Sequence, residues 1–312
     1  MVKVKGERVV IFGGSGFIGA NLTRKLIKLG ARVTVADKNL PGELLWPYLR
    51  KIDFCKIDIL NPKDLKSVLK KKKYVFNLAA AVPFSLAKSD YLKESISINV
   101  RGAANIALAA RESGVKKLVF VSGYVVYGVP EYLPLNERHP TNPIDIYGAS
   151  KLAAEKYLRV ICNTKPALEL VILRLASVYG PGQITRGLIP NLIRAALDNS
   201  KVVLNAAGKE KRDYLFIDDA VNALILSLKK GATGTFNVGS NASVSAKQIK
   251  EAIERISGRQ IKPRHLNNRG LIPEVILSNK LAQKHLGFKP KVSIKEGLGL
   301  AYRWYKNEKY IP

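Results

Sequence analysis

The chain has 312 residues, 47% of them apolar, enough to bury a large core as one domain or as two closely joined ones. Lysine and arginine outnumber aspartate and glutamate 52 to 24, a net charge of +28 that suits either a strongly hydrated surface or attraction to a polyanion such as nucleic acid, anionic membrane or a diphosphate. The sequence shows no long apolar run and no basic-then-apolar leader, so a cytoplasmic protein without a membrane span is expected; Cys55 and Cys162 make no disulfide framework, and His139, His265 and His285 stand too far apart to suggest a metal site.

The first element is an apolar strand, Arg8-Val9-Val10-Ile11-Phe12, which runs straight into Gly13-Gly14-Ser15-Gly16-Phe17-Ile18-Gly19. A helical pattern follows over 20–29. Strand, glycine turn and helix start together predict a dinucleotide pyrophosphate site. The backbone must turn sharply and come close to phosphate, and the helix start at Gly16, Phe17 and Ile18 offers free N–H groups at the positive end of its dipole. A second strand over 32–36 ends on Asp37, about 20 residues beyond the turn, where a carboxylate holds both hydroxyls of a ribose. That carboxylate repels a 2′-phosphate, which favours NAD over NADP, although Lys38 beside it would tolerate the phosphate. A third strand over 52–57 leads to Asp58 and Ile59, placed to reach the adenine. Asp58 reads almost equally well as a helix cap ahead of Asn61-Pro62.

Further strands are predicted over 74–78, 117–121 and 170–173, with helices over 63–71, 95–113 and 147–162. Short buried strands alternating with helices predict an α/β fold, a Rossmann-type doubly wound parallel sheet. From Tyr179 onward glycine and proline thicken and the alternation breaks, leaving short strands and helices near 190–197, 218–229, 246–257, 280–286 and 294–307. The organisation expected is a nucleotide-binding domain over 1–175, joined by a returning segment near 211–240, and a smaller substrate-binding lobe over most of 176–312.

Tyr147-Gly148-Ala149-Ser150-Lys151 carries the chemistry. On a helix, Tyr147 and Lys151 lie one turn apart on one face. A lysine ammonium beside a phenol favours the phenolate and draws its pKa down from about 10 toward neutrality. Such a tyrosine is a general base for a substrate hydroxyl, matched to hydride transfer at a nicotinamide ring.

With these motifs in order, the chain resembles the extended short-chain dehydrogenase/reductases of the NAD-dependent epimerase/dehydratase family, in the style of UDP-glucose 4-epimerases. The resemblance runs nearly the full length. It rests on Gly13 through Gly19, Asp37, Asp58, Asn77-Leu78-Ala79-Ala80, Asn99-Val100-Arg101-Gly102, Ser122 through Gly128, Tyr147 with Lys151, Arg174 through Gly182, and Arg212-Asp213. It implies NAD as cofactor, bound also by Leu78, Ala79, Ala80 and Asn99. It implies a nucleotide-sugar substrate, probed by Ser177, Arg212 and Arg269, and a homodimer formed through helices near 95–113 and 147–162.

The departures from the pattern are informative. The family carries a Ser or Thr four residues before the Tyr of its Val-Tyr-Gly turn; here Val126-Tyr127-Gly128 puts Gly123 there. Ser122 and Tyr124 are the candidate substitutes for that hydroxyl. Sugar dehydratases and decarboxylases of the family place carboxylic acids where Tyr124 and Val125 stand, which disfavours those reactions here. Ser177 replaces a frequent Asn. The leading reading is a UDP-sugar 4-epimerase that keeps its NAD. The competing readings are an NAD(P)-dependent reductase or dehydrogenase, and a non-catalytic NAD-binding or RNA-associated protein suggested by Gly123 and the +28 charge. The lysines are spread along the chain without an aromatic–basic pattern, so nucleic acid is not the main expected partner.

Overall fold

The computed structural model describes residues 2–82, 89–184, 187–205, 208–266 and 272–307. In chain order the elements are β1 (Arg8–Phe12), α1 (Phe17–Lys28), β2 (Arg32–Asp37), β3 (Ile52–Lys56), α2 (Pro62–Leu69), β4 (Tyr74–Asn77), α3 (Ser89–Glu94), α4 (Ala103–Glu112), β5 (Lys117–Gly123), α5 (Ile146–Asn163) and β6 (Glu169–Leu175). Then come β7 (Ser177–Tyr179), α6 (Leu188–Asp198), β8 (Val203–Asn205), β9 (Lys211–Phe216), α7 (Ile217–Leu226), β10 (Gly234–Val238), β11 (Ser243–Ser245), α8 (Ala246–Ser257), β12 (Arg264–Leu266) and α9 (Ile294–Asn307). A π-helical stretch, Ser95–Gly102, joins α3 to α4.

Seven strands form one parallel sheet in the order β10-β6-β5-β4-β1-β2-β3. Alternate side chains of each strand feed opposite cores, as the two-residue period of a strand requires. Val9 and Ile11 join one core with Leu22 and Leu26 of α1; Val10 and Phe12 join the other with Leu65 of α2, Ile106 of α4 and Leu158 of α5. Burial on both faces is why the inner strands, such as β1 and β4, read as continuous apolar runs, whereas the edge strand β3 is only half-buried.

Residues 211–240 divide between two sheets. β10 pairs with β6 and α7 packs on α1. β9, however, leaves the main sheet and pairs with β7 and β11 in a separate three-stranded sheet. Two features escaped the reading of hydrophobic pattern: the short helix α3, and the 3₁₀ stretch Glu43–Lys51 that accommodates Pro47. Both are too short to show a helical period.

Candidate active site

The carboxyl ends of β1, β2 and β4 converge on the glycine turn. Gly13 N–H donates to the Ala36 carbonyl at 3.0 Å, and Leu78 N–H to the Phe12 carbonyl at 2.9 Å. Gly13 has φ +77°, and a Cβ there would lie 2.7 Å from the Ala79 nitrogen. A Cβ on Gly19 would lie 2.2 Å from the Gly13 carbonyl oxygen, so α1 seats on the turn only with glycine at that position. Gly16 caps α1 in an extended conformation, with no side-chain cap and no acidic residue in the first turn. Phe17 and Ile18 open the helix and pack their side chains against the core. The helix N-terminus therefore keeps its positive end open to an anion.

Asp37 is fixed to this turn. Its Oδ2 accepts from the Ser15 N–H and its Oδ1 from the Asn39 N–H, both at 3.0 Å. Gly13, Gly16, Asp37, Lys38, Asp58, Ile59, Leu78, Ala79 and Ala80 all line one cleft of about 410 Å³. Asp58 is not the cap of α2: Asn61 takes that role through Lys63 N–H at 3.1 Å, and Asp58 closes the preceding turn through Leu60 N–H at 2.9 Å. An open helix N-terminus at one part of a cleft and a held carboxylate at another form the donor and acceptor set a dinucleotide needs. Asn99 is a different case. Its Nδ2 donates to the Ala81 carbonyl at 3.0 Å and to Ser150 Oγ at 2.9 Å, while its Oδ1 accepts from Ala81 N–H at 2.7 Å. The expected cofactor residue is thus a buried brace between the exit of β4 and α5.

α5 carries the candidate pair Tyr147 and Lys151. Asp145 caps it through Gly148 N–H at 2.6 Å. The short turn Tyr124–Tyr127 presses on its start: a Cβ on Gly148 would lie 2.6 Å from the Val125 carbonyl oxygen. Lys151 is 2% exposed, and its Nζ sits 4.3 Å from the centre of the Phe120 ring. Burial pushes Lys151 down to about 7, against a smaller upward pull from Glu155. Burial pushes Tyr147 up to about 12, helped by its neighbours Tyr91, Asp145 and Tyr124. Burial and these neighbours move the phenol of the chain by itself in the direction opposite to the one expected from Lys151. Both groups are desolvated, so each resists its charged form, and it is the lysine that titrates near neutral pH.

Beneath this pair lies a polar cluster that the motif reading missed. Glu155, fully buried, accepts from Ser122 Oγ at 2.6 Å, from Arg174 Nε at 3.0 Å and Nη2 at 2.7 Å, and from Arg159 Nη2 at 2.9 Å. Burial alone would raise Glu155, but the hydrogen bonds and charge of Arg174, with Ser122 and Arg159, hold it below the usual carboxylate range. Tyr147, Lys151 and Glu155 recur every four residues, and this spacing was the available signal. The cluster also settles Ser122. Its hydroxyl is buried and committed to Glu155, so it is not a substitute for the missing family hydroxyl.

Tyr124 is placed differently. It begins the turn beside α5 and lies within electrostatic reach of both Tyr147 and Tyr214. Gly123 itself has an extended φ of −150°, and a Cβ there would meet nothing nearer than Val125 Cγ2 at 3.6 Å. The backbone would accept serine at this position.

Alternation along β9 puts Arg212 and Tyr214 on one face and Asp213 on the other. Asp213 is buried and accepts from Ser240 N–H and Oγ, both at 2.7 Å, and from Leu277 N–H at 3.1 Å, ties that fix the strand. Ser177 lies in register opposite Tyr214. Burial raises the Tyr214 phenol and Tyr124 adds to the rise, while Arg212 pulls it down. Arg269 lies outside the described residues.

Residues 9–239 match the model of the NAD-dependent epimerase/dehydratase family. A UDP-glucose 4-epimerase from Mycolicibacterium smegmatis is 31% identical over 313 residues, which span 96% of this chain and 99% of that protein. The crystal structure of a UDP-glucose 4-epimerase with UDP-glucose, from Thermotoga maritima, has a TM-score of 0.90 and 29% identity, covering 97% of this chain and 100% of that one. MoeE5 in complex with UDP-glucose and NAD has a TM-score of 0.90 and 27% identity, covering 98% and 100%. The family match spans the glycine turn, Asp37, Tyr147 with Lys151, and the Arg212 strand, so that the chain belongs to the NAD-dependent epimerase/dehydratase family.

Proposed function

We propose that the protein is a UDP-sugar 4-epimerase that works with tightly held NAD. The observation that carries this reading is the family match over residues 9–239, which takes in the Asp37 cleft, the Tyr147–Lys151 helix and the Arg212 strand, together with the full-length likeness to a UDP-glucose 4-epimerase structure holding UDP-glucose. The first turn of α1 holds the pyrophosphate and Asp37 the adenosine ribose, with Lys38, Asp58 and Ile59 at the adenosine end. The cofactor supplies a reversible hydride acceptor for carbon 4 of the sugar. Tyr147 takes the proton of the 4-hydroxyl and returns it after the keto sugar has turned its other face. A phenol held near 12 needs a neighbouring positive charge to give up its proton at neutral pH; the oxidised nicotinamide would bring one when bound, and Lys151 would add to it only in its protonated fraction. Tyr124 supplies the second hydroxyl toward the reacting oxygen, in place of the side chain absent at Gly123. Arg212 binds the diphosphate through its paired N–H groups.

A homodimer is part of this proposal. Leu92, Ile96, Tyr157 and Val160 are exposed apolar residues on the α3–π stretch and on α5, two elements packed side by side. A second copy would cover them, and sedimentation should give twice the monomer mass. No helix among the described residues is long and apolar enough to cross a membrane. Activity is tested by incubating the protein with UDP-glucose or UDP-galactose and following interconversion by chromatography, with no nucleotide added. Conversion is the expected result. Stoichiometric absorbance change at 340 nm that depends on added cofactor would instead identify a reductase.

A further inference from the structure

Arg212 already has an anionic partner. Its Nη2 lies 2.9 Å from Glu210 Oε2, and its Nη1 donates to the Lys211 carbonyl at 2.9 Å. Both side chains are mostly shielded, at 20% and 22% exposure. Lys211 is on the opposite face of β9 and pairs with Glu274 at 3.8 Å, so it does not neutralise Glu210. The planar fork that suits a diphosphate is thus engaged by a carboxylate from two residues away. A diphosphate brings more charge and more acceptor oxygens than one carboxylate, so it displaces Glu210. The displaced carboxylate then stays close by as a like charge. A phosphate-free sugar brings no anion and leaves the pair intact.

We propose that Glu210 is a specificity-determining residue whose carboxylate competes with the substrate diphosphate for Arg212. The competition limits how tightly the nucleotide portion is held. Substrate and product epimers share that portion, so binding it more tightly lowers KM without lowering the chemical barrier, and it slows release. This inference rests on the reading of Arg212 as the diphosphate contact.

The test is calorimetric titration of UDP into the wild type, Glu210→Gln, Arg212→Ala and the double variant, with KM for the UDP-sugar measured alongside. Glu210→Gln should tighten UDP about two- to tenfold, the range expected for a shielded ion pair, with a matching fall in KM rather than a rise in kcat. Arg212→Ala should weaken UDP, and the gain from Glu210→Gln should shrink in that background, because the competition needs Arg212. If Arg212→Ala weakens UDP but Glu210→Gln leaves it unchanged or weaker, the competition is refuted and Arg212 keeps its role. An equal gain in both backgrounds would mean simple repulsion and would also overturn it. If Arg212→Ala leaves UDP binding intact, the assignment of Arg212 fails and the inference goes with it.

Discussion

Lys151 offers a direct measure of how the fold tunes this site. Burial takes it from an ordinary 10.5 to about 7. Below the lower value both the folded and the unfolded chain hold the proton, and folding bears the full cost of a buried ammonium. Between the two values the unfolded chain still holds the proton and the folded chain has lost it, so stability rises with pH. Above the upper value both are neutral and the rise ends. Once the folded state is deprotonated the slope is about 1.4 kcal/mol per pH unit, which gives about 2 kcal/mol between pH 7 and pH 9. Lys151→Met keeps the length of the side chain over the Phe120 ring and removes the titration. Urea unfolding of nucleotide-free wild type and variant, followed by circular dichroism at both pH values, isolates the effect. The wild type should gain about 2 kcal/mol on the variant across that interval. Parallel pH dependences would show that Lys151 titrates as an exposed lysine does, and the account of the catalytic pair would fall.

Asp37→Ala should narrow the preference for NAD over NADP, because the group that repels a 2′-phosphate is gone; equal affinities in the wild type, by calorimetry, would remove Asp37 from cofactor selection. Tyr147→Phe should retain the fold and NAD binding and lower turnover about 10²-fold or more, the scale of general acid–base catalysis. Near-normal rates in that variant would exclude the tyrosine as the base. Tyr124→Phe should cut turnover by about 10²-fold, the scale of a lost oxyanion donor, while Gly123→Ser adds little if Tyr124 already supplies the hydroxyl. The reverse pattern, a mild Tyr124→Phe and an accelerating Gly123→Ser, would show that nothing has replaced the family hydroxyl.

The sequence by itself determined whatever depends on neighbours along the chain. Apolar runs of four to six residues marked six of the seven strands of the main sheet, all but β10, because parallel strands are largely buried. Gly13 and Gly19 marked the turn because a Cβ at either would strike the backbone, and the four-residue step from Tyr147 to Lys151 put both on one helix face. Tertiary structure decided what those groups experience, since that depends on segments brought from far away. Ser122 lies one position from the expected hydroxyl, yet Glu155, 33 residues on, claims it. Asn99 reads as a cofactor ligand, yet Ser150, 51 residues on, and Ala81 take up its amide. β9 carries the arginine of a recognisable motif, but its place in the separate sheet with β7 and β11 comes from long-range pairing that no local period records. The protonation of Tyr147 and Lys151 is set in the same way. Spacing alone predicts that the lysine lowers the phenol, whereas desolvation, which penalises whichever form is charged, raises the one and lowers the other.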